Sequence, residues 1–209
     1  MAVVARVRTA SGEEGVLFDA VHDRAFRDEL LVSIAAGRRL RCGAGELAFV
    51  PDGDSSGPDR PARSESRILQ AEQTNTSVVY GDRYVLKLYR RLERGIQPDV
   101  EVERFLTERG FPHVPALAGT IELRSRGGPT TVALLESFVA NEGDAWRYTL
   151  DWLDQYFERV RARAHPGGIP DAPGSLFDLG GPEPPEPVLE VLGSYVVPAR
   201  HLGARTAAL

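Results

Sequence analysis

The chain has 209 residues, a net charge of −5 at pH 7, 42% hydrophobic and 26% charged residues, and one cysteine. That composition suits one large or two small globular domains and excludes a fibrous or low-complexity polymer. The acidic balance gives no bulk attraction for nucleic acid or anionic membrane. The lone Cys42 rules out an internal disulfide framework and fits a reducing compartment. No apolar run is long enough to span a bilayer, and residues 1–6 lack the apolar core of a signal peptide, so cytoplasm is the expected location.

In chain order, residues 3–7 and 15–18 are expected as strands. Asp23 is placed to cap a helix ending at Gly37, with Phe26, Leu30 and Ile34 on its apolar face. Arg38, Arg39 and Arg41 then complement the helix C-terminus. Residues 46–50 make a third strand stopped by Pro51. Residues 52–63 are rich in Gly, Pro, Ser and Asp without apolar periodicity, which makes them a linker. These features predict a small N-terminal cap subdomain and linker over 1–63.

Residues 69–89 read as strand, polar loop (Gln73, Thr74, Asn75, Thr76, Ser77), strand, a two-residue turn at Gly81-Asp82, and a strand from Arg83 to Tyr89. Period-2 alternation puts Val85, Lys87 and Tyr89 on one face of that last strand and Tyr84, Leu86 and Leu88 on the other. Lys87 is the only lysine in the chain; Arg stands at every other Lys/Arg position. A mid-strand ammonium among apolar neighbours is costly unless something anionic meets it. A compact point charge also differs in use from the flat guanidinium fork. Protein kinases hold ATP phosphates with a lysine on a strand that follows a polar turn.

A helix is predicted between Pro98 and Gly110, with Val102, Phe105 and Leu106 as its apolar stripe. Glu101 and Glu103 lie at opposite edges of that stripe, and the helical wheel does not choose which reaches Lys87. Residues 117–123 and 130–138 form a hairpin, with a central strand leaving at Glu136, Ser137, Phe138 and Val139. Residues 64–140 thus predict an antiparallel sheet with one packed helix. Asp144 then caps a long helix to Ala164, with Trp146, Leu150, Leu153, Phe157 and Val160 on one face. Residues 165–187 are a Pro/Gly-rich loop, and 188–209 a helical pattern interrupted at Pro198. The overall expectation is an α+β fold: cap, sheet lobe, and the first helices of an incomplete helical lobe over 141–209.

The ordered strings Gly15-Val16-Leu17-Phe18-Asp19-Ala20, Glu72-Gln73-Thr74-Asn75-Thr76-Ser77-Val78, Leu86-Lys87-Leu88-Tyr89-Arg90-Arg91, Pro98-Asp99-Val100-Glu101-Val102, Phe111-Pro112-His113-Val114-Pro115, Asn141-Glu142-Gly143-Asp144 and Leu202-Gly203 resemble the maltokinase family. That family includes the kinase portion of trehalose synthase–maltokinase fusions. The resemblance implies a kinase-like N-lobe of the aminoglycoside-phosphotransferase branch, and transfer of phosphate from ATP, with Mg2+, to maltose, giving maltose 1-phosphate for α-glucan synthesis. By position, Lys87 would hold the α/β-phosphates and Glu101 would orient Lys87. Gln73 to Ser77 would form the phosphate loop, and Glu136, Phe138 and Val139 would face adenine, although the family usually has Gln at the place of Glu136. The family's His-Gly-Asp catalytic loop and later Mg2+-binding Asp have no counterpart in the 209 residues, so the expectation is a chain inactive alone and a parent sugar kinase, with a trehalose synthase domain as an implied partner. Two alternatives stand beside it: another aminoglycoside- or choline-type phosphotransferase, and a non-catalytic interaction module with the same lobe.

Overall fold

The structure is a computed structural model describing residues 3–43, 45–52, 65–69, 74–162, 189 and 192–209. The phosphate-loop residue Gln73, most of the 52–63 linker and the whole 165–187 loop lie outside the described residues. The chain divides into two compact units, 1–140 and 141–209.

In the first unit, β1 (Val3–Arg8) and β2 (Glu14–Phe18) form a separate two-stranded antiparallel sheet. The other strands are β3 (Arg39–Cys42), β4 (Gly45–Pro51), β5 (Ser66–Ile68), β6 (Asn75–Tyr80), β7 (Tyr84–Tyr89), β8 (Leu117–Ser125) and β9 (Gly128–Ser137). They make one antiparallel sheet in the order β3-β4-β8-β9-β7-β6-β5. The expected α+β class is therefore observed. Residues 39–51, expected to belong to the cap, form two strands of the same sheet: β4 pairs with β8, and β3 pairs with β4 at the edge. Arg39 and Arg41 sit in β3 rather than capping a helix, and Arg39 meets Glu46 across the ladder.

One helix packs on each face of the sheet. Helix α1 (Arg24–Ala35) starts where expected, with the Asp23 carboxylate accepting from Ala25 N. It buries Leu30, Leu31 and Ile34 against Phe49, Val78, Tyr80, Leu86, Ile121 and Leu135. Arg27, not Phe26, completes this face; Phe26 is exposed. The guanidinium of Arg27 donates to Val21 O, Ser66 Oγ and Ser66 O, and Tyr80 Oη donates to Arg27 O. The ends of α1 and β5 are thus joined by hydrogen bonds inside an apolar layer. Gly119 lets α1 lie close: a Cβ there would stand 2.6 Å from Ile34 Cγ2 and 2.8 Å from Val50 O.

Helix α2 (Pro98–Glu108) covers the opposite face, with Pro at its start and Gly110 just past its end. Val100 and Leu106 are its buried residues, while Val102 and Phe105 are exposed. The sequence stripe was misassigned because Val100, Glu103 and Leu106 share one face at three-residue spacing, and the polar member hides it. The β6–β7 connection is a three-residue turn, since Tyr80 pairs with Tyr84; Gly81 takes a left-handed φ of 59°.

In the second unit, α3 (Ala145–Ala162) is capped by Asp144 Oδ1, which accepts from Arg147 N. The buried aromatic is Trp152, stacked on Tyr156 and against Tyr195; Trp146, expected in the core, is 72% exposed. Helix α4 (Val196–Thr206) contains Pro198 in its first turn, where a missing N–H costs no helical bond. Among the described residues, no helix is long and apolar enough to cross a membrane.

Candidate functional site

Cross-strand pairing fixes which residues share the α2 face. Ser77, Lys87 and Leu134 are direct neighbours, and Val85 pairs with Glu136 one step along. Lys87 and Glu136 are therefore diagonal neighbours on one face, a separation that long side chains span. Leu134, Leu117 and Val100 form the apolar floor, with Tyr89 packed on it. Above that floor Lys87 Nζ donates to Glu136 Oε2 at 2.8 Å and lies 4.0 Å from Glu103 Oε1. Tyr89 Oη donates to Asp99 Oδ2 at 3.4 Å, bringing a third carboxylate from the first turn of α2.

Three hydrogen bonds and ion pairs set α2 over this cluster. Gln97 N donates to Thr131 Oγ1, Leu117 N donates to Thr107 Oγ1, and Arg104 pairs with Asp52 at 3.0 Å. The Glu103 Oε2 is buried and no N–H or hydroxyl donor reaches it; the Glu136 carboxyl is its polar neighbour. Burial first, and then the neighbouring Glu136 carboxylate, push Glu103 up from 4.5 to about 8, against the pull of Lys87. Burial pulls the Lys87 ammonium down, but its bond to Glu136 and the charges of Glu136, Glu103 and Asp99 outweigh that, and its pKa is raised. The lysine is a firm cation at neutral pH.

Side-chain exposure orders the cluster from outside inward: Lys87 26%, Glu103 14%, Glu136 8%. Lys87 is the most exposed of these three, while Asp99, the third carboxylate near it, is itself exposed at the first turn of α2.

The expected site residues fall into four groups. Lys87 and Glu136 meet directly. Glu101 is exposed and takes no part: the carboxylate that α2 brings to Lys87 is Glu103, because the 100-103-106 face turns inward. In the expected phosphate loop, Asn75, Thr76 and Ser77 are already strand β6, and only Thr74 remains outside it among the described residues. Alternation then separates them. Asn75 and buried Ser77 face α2 with Lys87, whereas Thr76 Oγ1 accepts from Arg90 Nε on the other face. Arg90 also pairs with Asp19, the carboxylate capping the short helix Ala20–His22. At the end of β9, Glu136 turns into the lysine cluster. Ser137 N donates to Ala116 O and Phe138 N donates to Arg83 O, while Val139 is exposed. The role that sequence reasoning missed is that of Glu136 as a lysine partner. The signal was available: a carboxylate in an otherwise apolar central strand needs a cation nearby. Among the described residues no group of three His, Cys, Asp or Glu side chains is arranged to hold a metal ion.

No family model matches the chain. Among solved structures, the chain is similar to a glucosamine kinase in complex with glucosamine, ADP and inorganic phosphate, at 19% identity and a TM-score of 0.45 over 77% of this chain and 35% of that one. A second glucosamine kinase crystal form gives 18% identity and a TM-score of 0.44 over 76% and 33%. The chain thus spans about a third of the length of these structures.

Proposed function

We propose that this chain supplies the nucleotide-binding part of an ATP-dependent sugar kinase, with maltose as acceptor and maltose 1-phosphate as product. The observation that carries the nucleotide half is the lysine itself. It stands half-buried in mid-strand, bonded to Glu136 of β9 at 2.8 Å and 4.0 Å from Glu103 of α2. A lysine so oriented offers a phosphate a positioned point charge at little entropic cost. Asn75 lies on the same face, only partly buried, and its amide can add a hydrogen bond to a phosphate oxygen. The maltose half rests on the ordered sequence strings that resemble maltokinases. Bound ATP supplies the transferable phosphoryl group with Mg2+ as its counter-ion. No described residue of this chain is assigned to that metal, and none to proton removal from the sugar, since the chain holds no His-Gly-Asp. Lys87 binds and orients, Glu103 and Glu136 fix Lys87, and α2 with its apolar floor excludes water beneath the ammonium.

The test is ligand-dependent stability of the 209-residue chain. With 5 mM MgATP and a dissociation constant of about 0.5 mM, the unfolding free energy should rise by about 1.4 kcal/mol. Lys87→Met, made in a Glu136→Gln background so that no strong carboxylate is stranded, should lose that increment. Equal protection in both proteins, or none in the unaltered chain, rejects the reading.

A further inference from the structure

We propose that Glu136 is a second positioning residue for Lys87, sharing one proton with Glu103, so that a polyphosphate settling on Lys87 is accompanied by a proton taken up between the two carboxylates. This rests on the nucleotide-binding reading above and deepens it. It assigns the residue a role on the lysine rather than on the adenine ring.

The argument begins with a charge inventory of everything packed around the ammonium. Strand β7 brings Lys87 and the Tyr89 phenol. Helix α2 brings Asp99 and Glu103, its Arg104 being turned away to Asp52. Strand β9 brings Glu136, and β6 brings only the neutral Asn75 and Ser77. Strand β8 brings Leu117 and Thr120, its Glu122 being paired with Arg124. One fixed cation therefore faces three carboxyl groups. Its short bond goes to the most buried of them, Glu136, at 2.8 Å, and Glu103 is left at 4.0 Å with a buried oxygen that no N–H or hydroxyl donor reaches. Two carboxylates beside a single ammonium cannot both stay charged cheaply, and the one with the poorer bond takes the proton. The position of Glu103 about 8 agrees with this.

A polyphosphate adds two or more negative charges at the exposed side of Lys87. The ammonium then divides its field between phosphate and carboxylates, and the proton on Glu103 becomes harder to lose. Proton uptake and anion binding are thereby linked, each favouring the other. If the bound anion lifts Glu103 by about one further pH unit, uptake at pH 8 is about 0.4 proton per site and the dissociation constant rises about fivefold from pH 7 to 9. The proton comes from solvent and ends on the Glu103–Glu136 pair; no covalent bond changes.

The experiment is calorimetric titration of the 209-residue chain with MgATP at pH 8, where the nucleotide's own phosphates are fully ionised, in two buffers of different ionisation enthalpy. A pH series from 7.5 to 9 gives the dissociation constant. The unaltered chain should take up a few tenths of a proton. Glu103→Gln and Glu136→Gln each leave one member of the sharing pair, with Asp99, near the lysine, and whatever MgATP binding each keeps should show no proton uptake and no dependence on pH. Should one variant fail to fold, the other carries the same test. Binding without uptake in the unaltered chain, or uptake unchanged in both variants, overturns the proton-sharing role while leaving nucleotide binding intact. Absence of MgATP binding altogether overturns both.

Discussion

Replacing Glu103 by Gln tests the energetics of the cluster without any ligand. Gln is isosteric with a protonated glutamic acid and keeps an amide N–H for Glu136. The folded chain holds the Glu103 proton up to about pH 8, whereas an unfolded glutamate releases it near 4.5. The native state therefore binds the extra proton between those values. The group's contribution is fully present below about pH 4.5 and is lost as pH rises through the window to 8. Taken whole, that rise corresponds to an upper limit of about 5 kcal/mol. Because the site is coupled and partly screened by solvent, we expect about 2 kcal/mol. Glu103→Gln should match the unaltered chain at pH 5 and exceed it by about 2 kcal/mol at pH 9, roughly 6 °C in Tm for a unit of this size. Both tryptophans, Trp146 and Trp152, lie in the 141–209 unit. Fluorescence would therefore report the wrong unit, and amide hydrogen exchange across β7 and β9 is the proper reading. A difference that does not change with pH, or a variant less stable at pH 9, refutes the reasoning.

Two further outcomes concern the packing that sets the site in place. Arg27→Met should cost about 3 kcal/mol, because it leaves Val21 O, Ser66 O and Ser66 Oγ without their buried donor; chemical denaturation followed by circular dichroism checks this, and a loss below 1 kcal/mol would mean water replaces the guanidinium. Gly119→Ala should cost about 1–3 kcal/mol by forcing Ile34 of α1 and the β4 backbone at Val50 away from β8, with faster exchange in α1 than in α2 as its signature; equal loosening of both helices would contradict the close approach.

The elements with strong local signals were legible in the sequence. The Asp23 and Asp144 caps, the Pro98 start, the Gly110 stop and the alternation through β6, β7 and β9 each follow from chemistry within a few residues. What failed was everything decided by partners far along the chain. Residues 39–42 carry charges that read as a helix terminus, and they become strand only because β4 lies beside them. Phe26, Val102, Phe105 and Trp146 were assigned to buried faces on hydrophobicity, while Arg27, Glu103 and Trp152 hold those places. A polar residue on an inward face is invisible to an apolar-periodicity argument, since its partner sits on another strand or helix. The lysine was legible because it was alone of its kind. Its partners were not, because choosing among Glu101, Glu103 and Glu136 requires the diagonal register of β7 on β9 and the rotation of α2.

That register also bears on the proposed phosphate-binding role. Were fold stability the only requirement, an aliphatic residue at position 87 would extend the floor of Val100, Leu117 and Leu134, and well-packed apolar groups in place of a buried ion pair are often neutral or stabilising. A purely structural pair would also bury its cation as deeply as its anions. Here Lys87 keeps 26% of its side chain exposed, against 14% for Glu103 and 8% for Glu136. The bond to Glu136 raises the pKa of the ammonium and holds its chain along one direction. Arginine would spread the same charge over a plane and could take both carboxylates in its fork, leaving less for a ligand. A single lysine in a chain of arginines, paired with Glu136 and still partly exposed, is what the proposed phosphate-binding role calls for.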